Sequence, residues 1–445
     1  MSWTVLYIID VFAISTFIFS YYKNCYRRGY RFDFWHAQLL LVCVFPNMVL
    51  LPFVRSEMNR VILGDDFDVV MAALPSVFLI TVVGYFATLL GGSLWRLRAN
   101  IGVRKHLAEV LDIVPRCSLM LMTTRSVLVF QALLCLCLQA VVLTVYFASS
   151  GFGFDLRAFT FANPMFRPVA QTASAYSVLI ASHCLARYVD SKERILLVCT
   201  VSLTFGMVFF GSRSNLFAIY LGVLACYLVK LRGRLRLFSL ALVVALVLSA
   251  AFYLGNVRAG QYSLIQFFAS IAFLLLYGNN FSDLRDFAWV YGTWDHVFWG
   301  GKTYLAALFS FVPRAVSQFR DTWGFGAVTA ATAGFDPQLH PGLRPGYFGE
   351  GFFNYGLPGV VLVGLLVGLL TRRVDIDTKK ALTGPRSSMM RAFAAAQLLQ
   401  VAGCVAISVN LSGFYVVVGI YAFSWVLLQL FRLTGAVQKP LAHFD

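Results

Sequence analysis

Apolar residues run in blocks along this chain, and polar residues gather between the blocks. The blocks are roughly 16 to 25 residues long, each enough for a helix to cross the ~30 Å hydrocarbon layer of a bilayer. Inside lipid, every backbone polar group must be satisfied within its own segment, so runs of this length predict helices. The weakly alternating ten-residue strands of a membrane barrel are absent. About eleven spans are expected, at 3–20, 34–54, 69–94, 126–149, 169–189, 194–211, 215–230, 237–255, 350–371, 392–412 and 414–432. The expected fold class is all-α: a polytopic transmembrane helical bundle.

Composition agrees with the pattern. A chain that is 59% hydrophobic and 13% charged, with mean hydropathy +0.75, carries more apolar surface than a soluble core of this length needs. Its net charge of +16 could suggest a nucleic-acid partner, but the placement of the charge argues against one. Basic clusters sit at helix ends on one side: Lys23, Arg27, Arg28 and Arg31; Arg96, Arg98, Arg104 and Lys105; Lys230, Arg232, Arg234 and Arg236; Arg372, Arg373, Lys379 and Lys380. This is the positive-inside bias, and it puts loops 21–33, 95–125, 190–193, 231–236 and 372–391 in the cytoplasm. The alternate loops, 55–68, 150–168, 212–214 and 256–349, then face outward, with the N-terminus outside and the C-terminus inside. The first block has no basic n-region and no small-residue cleavage site after it, so it is expected to remain as a span.

The nine cysteines fall in apolar blocks or basic loops, never in an outward loop, so no disulfide framework is implied. The outward loop 256–349 is far longer than an ordinary connection and should carry structure of its own. Two short apolar pieces within it, 264–277 and 304–312, suit interfacial or re-entrant helices. Three regions follow: spans one to eight over 1–255, the structured outer loop over 256–349, and the last three spans with the tail over 350–445.

Candidate chemistry gathers at the outer face. Arg213 lies in the short break Gly211-Ser212-Arg213-Ser214-Asn215, Arg258 just after the eighth span, and Arg314 after Pro313. Arginine at a span end can simply snorkel to the interface. Several guanidinium groups at one face also suit a lipid with a diphosphate head, because arginine grips phosphate oxygens in a bidentate fork. Arg285 and Arg320 have acidic neighbours that offer a structural pairing instead. The end of the outer loop reads HPGLRPGYFGEGFFNYG and brings His340, Arg344, Tyr347 and Glu350 to the mouth of the ninth span. Its glycines and prolines predict a shaped loop rather than a helix. His340 can exchange a proton near neutral pH. Glu350 is either a favourable first-turn charge or a catalytic carboxylate. Asp10, alone in the first span, is read as polar packing or a functional acid. There is no HExxH, CxxC, P-loop or GxGxxG after a strand, so neither a protein-bound metal nor a nucleotide cofactor is expected.

In order along the chain, these features resemble the bacterial O-antigen polymerases and the related O-antigen ligases. The resemblance rests on the Gly211–Arg213 turn between two spans, on Arg258 after a later span, and on Pro313-Arg314 in a long outer loop. It rests further on His340 followed, after ten intervening residues, by Gly351. It implies a GT-C-like inner-membrane glycosyltransferase acting at the periplasmic face on undecaprenyl-diphosphate-linked oligosaccharides, with a chain-length regulator as a possible protein partner and no cofactor. A polymerase would transfer the growing glycan to a fresh lipid-linked repeat unit, and a ligase would transfer it to lipid A–core. The His-to-Gly spacing is the more typical of ligases.

On this reading Arg213, Arg258, Arg314, Arg344 and Tyr347 bind the diphosphate end of the substrate, and His340 or Glu350 acts as general base toward the acceptor hydroxyl. A transporter of lipid-linked glycans would instead want charge within the spans and broken or repeated helices. Here the expected spans are almost free of charge.

Overall fold

The computed structural model describes residues 2–95, 109–151, 156, 159–160, 163, 166–210, 213–231, 238, 271–278, 281–312, 316–337, 339–383 and 387–434. Among these the regular structure is helical throughout, with no strand. Among the described residues, six helices are long and apolar enough to cross a membrane: Trp3–Arg28, Glu57–Leu94, Arg125–Ser150, Gly346–Thr383, Met389–Ala406 and Ser408–Leu433. Shorter apolar helices occupy Phe34–Val49, Arg194–Phe209 and Asn215–Lys230. Helix Arg167–Ser191 covers the expected fifth span. The expected span at 237–255 lies, apart from Phe238, outside the described residues.

The chain divides into two compact units. The first comprises Met1–Arg98, Leu231–Asp375 and Leu399–Ser412. It opens with α1 (Trp3–Asn24) and α2 (Phe34–Leu39), the latter started by Asp33, whose carboxylate accepts from the His36 N–H at 2.8 Å. From Leu40 to Val49 the helix widens to π geometry. Pro46 offers no N–H to the ladder there, and the Asn47 side-chain amide donates to the carbonyls of Val42 (3.1 Å) and Cys43 (3.0 Å). Helix α3 (Phe67–Leu94) packs closely against α4 (Gly346–Thr383). A Cβ at Gly368 would lie 2.1 Å from the Thr88 carbonyl oxygen, and one at Gly91 would lie 2.2 Å from that of Leu365. Small residues therefore let these two backbones touch, as helices do in membranes where apolar side chains gain nothing by leaving lipid.

Residues of the long loop expected over 256–349 share this core. Phe287, Trp294, Trp299, Phe325 and Leu343 are buried in one cluster with Leu6, Leu39, Leu74 and Phe78 of the first helices. The short apolar piece expected at the interface is helix Lys302–Leu308.

The second unit comprises Ala99–Lys230, Ile376–Leu398 and Gly413–Asp445. Several of its buried polar groups are paired within the unit. His183, fully buried, sits within hydrogen-bonding distance of Ser118 Oγ (2.9 Å) and the Leu179 carbonyl (2.7 Å). The Asp190 carboxylate accepts from Ser388 Oγ and from the N–H groups of Met389 and Met390, capping helix Met389–Ala396. All nine cysteines are free thiols, Cys137 exposed and the others wholly or partly buried.

Three expectations about element boundaries are corrected. The basic loop 95–125 contains a helix, Ile113–Thr123. The stretch before the ninth span is helical from Gly346 onward rather than loop up to residue 350, because Gly346 takes φ +69° and turns the chain into the helix. The tenth span is interrupted: Ile407 is extended between Leu398–Ala406 and the 3₁₀ turn Ser408–Asn410. Hydropathy reads where a segment is apolar and is blind to a break inside it.

Candidate functional site

The site is built on helix Asp283–Thr293 and on the loop that leads into α4. Asp283 and Asp286 both lie in the first turn of their helix, where its dipole favours negative charge. Asp286 is buried and saturated. Its Oδ2 accepts from Ser282 Oγ at 2.8 Å and from the Arg344 backbone N–H at 3.1 Å, while its Oδ1 faces Arg285 Nε and Nη2, both at 3.3 Å. Arg285 is equally buried, and its Nη1 donates to the Tyr277 carbonyl (2.9 Å) and to Asn59 Oδ1 (3.4 Å). This cation is used inside the fold, as its acidic neighbours suggested. Arg320, likewise, donates to the Val312 carbonyl.

Through the bond from Arg344 N–H, Asp286 holds the loop that carries the sequence-predicted site residues. A second anchor is Thr329 Oγ1, which donates to the Leu343 carbonyl at 3.1 Å. Gly342 takes φ +96° and lies where a Cβ would meet the Gly326 carbonyl oxygen at 2.3 Å, so only glycine fits. His340 is half-buried, stacked on Phe335 with ring centroids 4.4 Å apart, and its Nδ1 accepts the Gly342 N–H at 3.1 Å. In the neutral ring the proton therefore sits on Nε2. The Arg344 side chain is exposed. Tyr347 is half-buried, its hydroxyl accepting from Gln38 Nε2 at 3.3 Å.

Asp283 differs from Asp286. It is half-buried, and no hydrogen bond to its carboxylate is formed among the described residues. Burial, followed by the negative charge of Asp286, pushes its carboxyl up to about 7, against the pull of Arg344. The Gly346 backbone packs on it so closely that a Cβ there would come 2.9 Å from its Oδ2.

Glu350 is placed differently from the loop residues. It is fully buried, with Oε1 accepting from Thr303 Oγ1 (2.7 Å) and from Ser408 Oγ, and Oε2 accepting from the Ser408 N–H at 2.8 Å. Asn354 Nδ2 completes the network with bonds to Thr303 Oγ1 (2.8 Å) and the Glu350 carbonyl (2.9 Å). The carboxylate thus closes the start of the helical stretch that follows the break at Ile407. It does not act in its own first turn.

Of the other arginines expected at the site, Arg213 begins helix Arg213–Lys230, and its side chain lies outside the described residues. Arg258 and Arg314 also lie outside them. Asp10 is buried in α1, with one carboxylate oxygen lacking a hydrogen-bond partner among the described residues.

Cys25, Asp33 and His36 bring three metal-ligand atoms within 4.8 Å of one another, all buried. No motif search would have found this spacing. The imidazole is already engaged on both sides, with Asp33 Oδ1 2.8 Å from Nδ1 and Ser20 Oγ 3.1 Å from Nε2, which ties α1 to α2 without an ion.

Sequence reasoning missed Asp283 and Asp286 as partners of the 340–347 loop, and Thr303, Asn354 and Ser408 as partners of Glu350. The cluster Asp283-Leu284-Arg285-Asp286 was visible as charge in an apolar neighbourhood, but nothing linear connects it to Arg344.

Comparison with family models, with characterised proteins and with solved structures found no match. The geometry itself offers an exposed guanidinium, an imidazole N–H and an unpartnered carboxylate on or against one pinned loop. Such a set can hold an anion and exchange a proton.

Proposed function

We propose that this protein is an inner-membrane glycosyltransferase with a GT-C-like bundle of about eleven spans. It polymerises undecaprenyl-diphosphate-linked oligosaccharide repeat units at the periplasmic face. The observation that carries the reading is the division of labour among charges at the outer loop. Arg285 and Asp286 neutralise each other in the interior and fix the loop, leaving Arg344 exposed on the same loop as His340, just before a membrane helix. A lipid diphosphate lying in the bilayer would present its head at such a place. Its departure as leaving group needs a cation to stabilise the growing negative charge, which Arg344 supplies. Arg213, Arg258 and Arg314 are proposed to add to that positive field, and Tyr347 to line the same pocket.

The chemistry is a displacement at the anomeric carbon of the growing glycan. The acceptor hydroxyl attacks, the bond to the lipid diphosphate breaks with its electron pair, and the hydroxyl proton passes to a base. The ligase reading differs only in the acceptor, and the His340-to-Gly351 spacing favours it. Incubating the purified protein with lipid-diphosphate repeat units, with and without lipid A–core, separates the two. Chains lengthening on the lipid diphosphate indicate a polymerase, and transfer to core indicates a ligase. No transfer in either mixture rejects both.

A further inference from the structure

Among the described residues, His340, Glu350 and Asp283 are groups that could take the acceptor proton. The first two are already committed. A neutral His340 uses Nδ1 to accept the Gly342 N–H, so its free nitrogen, Nε2, carries a hydrogen and can donate but not accept. Glu350 is fully buried, and its two oxygens already take three hydrogen bonds from Thr303 and Ser408. An acceptor hydroxyl would have to displace one of those donors from an interior position.

Asp283 has neither obstacle. The residue is half-buried and its carboxylate takes no hydrogen bond among the described residues, on the same turn as Asp286, which fixes the loop. We infer that Asp283 is the general base of the glycosyl transfer, with Arg344 on the leaving diphosphate and His340 Nε2–H donating to a substrate oxygen. The inference rests on the glycosyltransferase reading. In the step, the acceptor O–H proton moves to an Asp283 carboxylate oxygen as the acceptor oxygen bonds to the anomeric carbon. The carbon–oxygen bond to the lipid diphosphate breaks, its electron pair leaves with the phosphate, and the aspartic acid then returns the proton to water.

Among the described residues, the groups that influence Asp283 electrostatically are Asp286 on its own helix, Arg344 and Tyr347 on the loop and the helix after it, and Cys43 on the π-helical segment. Only Arg344 among them favours the ionised form. The balance sets the carboxyl near neutrality, where a base combines availability with proton affinity.

The test uses the full-length protein in lipid nanodiscs with undecaprenyl-diphosphate repeat units extracted from cells that carry it. Single-turnover rates are measured from about pH 5.5 to 9, bracketing the Asp283 carboxyl. The wild-type rate should climb with pH to a plateau, with its midpoint near 7. Asp283→Asn should turn over about 10²–10⁴-fold more slowly and lose that limb, with binding of the lipid diphosphate kept. Asp283→Glu should restore the limb in part. An effect through structure alone would lower the rate without removing the pH limb.

Wild-type turnover and an unchanged profile in Asp283→Asn would overturn the inference and leave the glycosyltransferase reading standing. If Asp283→Asn does not fold, Asp283→Glu decides: an unaltered rate and limb in that variant would overturn it. Absence of transfer by the wild type with any acceptor would remove the glycosyltransferase reading, and this role with it.

Discussion

Arg344 and Arg285 carry the same guanidinium and are put to opposite uses. Arg285 is buried against Asp286, where losing either partner would strand a charge at a cost of about 3–5 kcal/mol. Arg344 gives its backbone N–H to the same carboxylate and leaves its side chain outside. Arg344→Ala should therefore raise the KM for lipid diphosphate without moving the melting temperature. A charge-assisted hydrogen bond contributes about 1.5–3 kcal/mol, which is on the order of ten- to a hundredfold. Arg344→Lys should recover only part of this, since an ammonium cannot reproduce the bidentate fork. An unchanged KM in Arg344→Ala would take the residue out of the site. Asp283 gives a second residue-scale expectation, now on stability. Its carboxyl is raised from 3.8 to about 7 in the folded protein, so the native state holds a proton there that the unfolded chain has released. Stability from this group is present at low pH and falls as pH rises from about 4 to 7. Asp283→Asn cannot ionise, so it should melt above the wild type at about pH 8 and close to it at about pH 4, as thermal scans in detergent would show. A lower melting temperature in the variant at both values would mean that the carboxylate is a structural partner.

At the scale of elements, the feature that organises the surroundings of Glu350 is a pair of broken helices. Within Gly346–Thr383 the backbone leaves helical geometry at Gly356, with φ +64° and ψ −152°. Pro358 follows and has no N–H to give, so the carbonyls before the break need other donors. They find them in the segment before helix Lys302–Leu308: Trp299 N–H reaches the Phe353 carbonyl at 2.8 Å, and Gly300 N–H reaches that of Asn354 at 3.2 Å. At the second break, Ser408 N–H turns to Glu350. Irregular backbone inside a membrane bundle is tolerable only where such partners exist. Gly356→Ala should destabilise the protein by about 1–3 kcal/mol, because residues other than glycine rarely adopt this positive-φ backbone. The added methyl also presses on the Phe298 ring, which lies 3.2 Å from the Cβ position. A melting temperature equal to the wild type would show that the break relaxes to ordinary helix. The glycine and the proline stood in the sequence, but the hydropathy of the ninth span ran across them without a dip.

At the scale of the whole molecule, the testable expectation is sidedness. Single cysteines are introduced into a version lacking the native ones, at Leu339, which is 85% exposed, and at the exposed Lys380. Leu339→Cys should react with an impermeant maleimide from the periplasmic side, and Lys380→Cys only after the membrane is opened. The reverse labelling would overturn the orientation and the function built on it. The sequence alone determined the helical class, the approximate position of most helices and the expected sidedness. Each of these follows from local physics: an apolar segment must satisfy its backbone within itself, and basic residues stay in the cytoplasmic loops beside the spans. It also drew attention to His340, Arg344, Tyr347 and Glu350 as one polar group at a helix mouth. Only the tertiary structure decided how that group is divided. Glu350 finds Ser408, and Arg344 finds Asp286, each 58 residues away, while Arg285 reaches Asn59 across 226. A buried charge must be met by whatever donors folding brings to it, wherever they lie in the chain. Which charges the fold consumes and which it leaves open to a ligand therefore depends on pairings that no local pattern records.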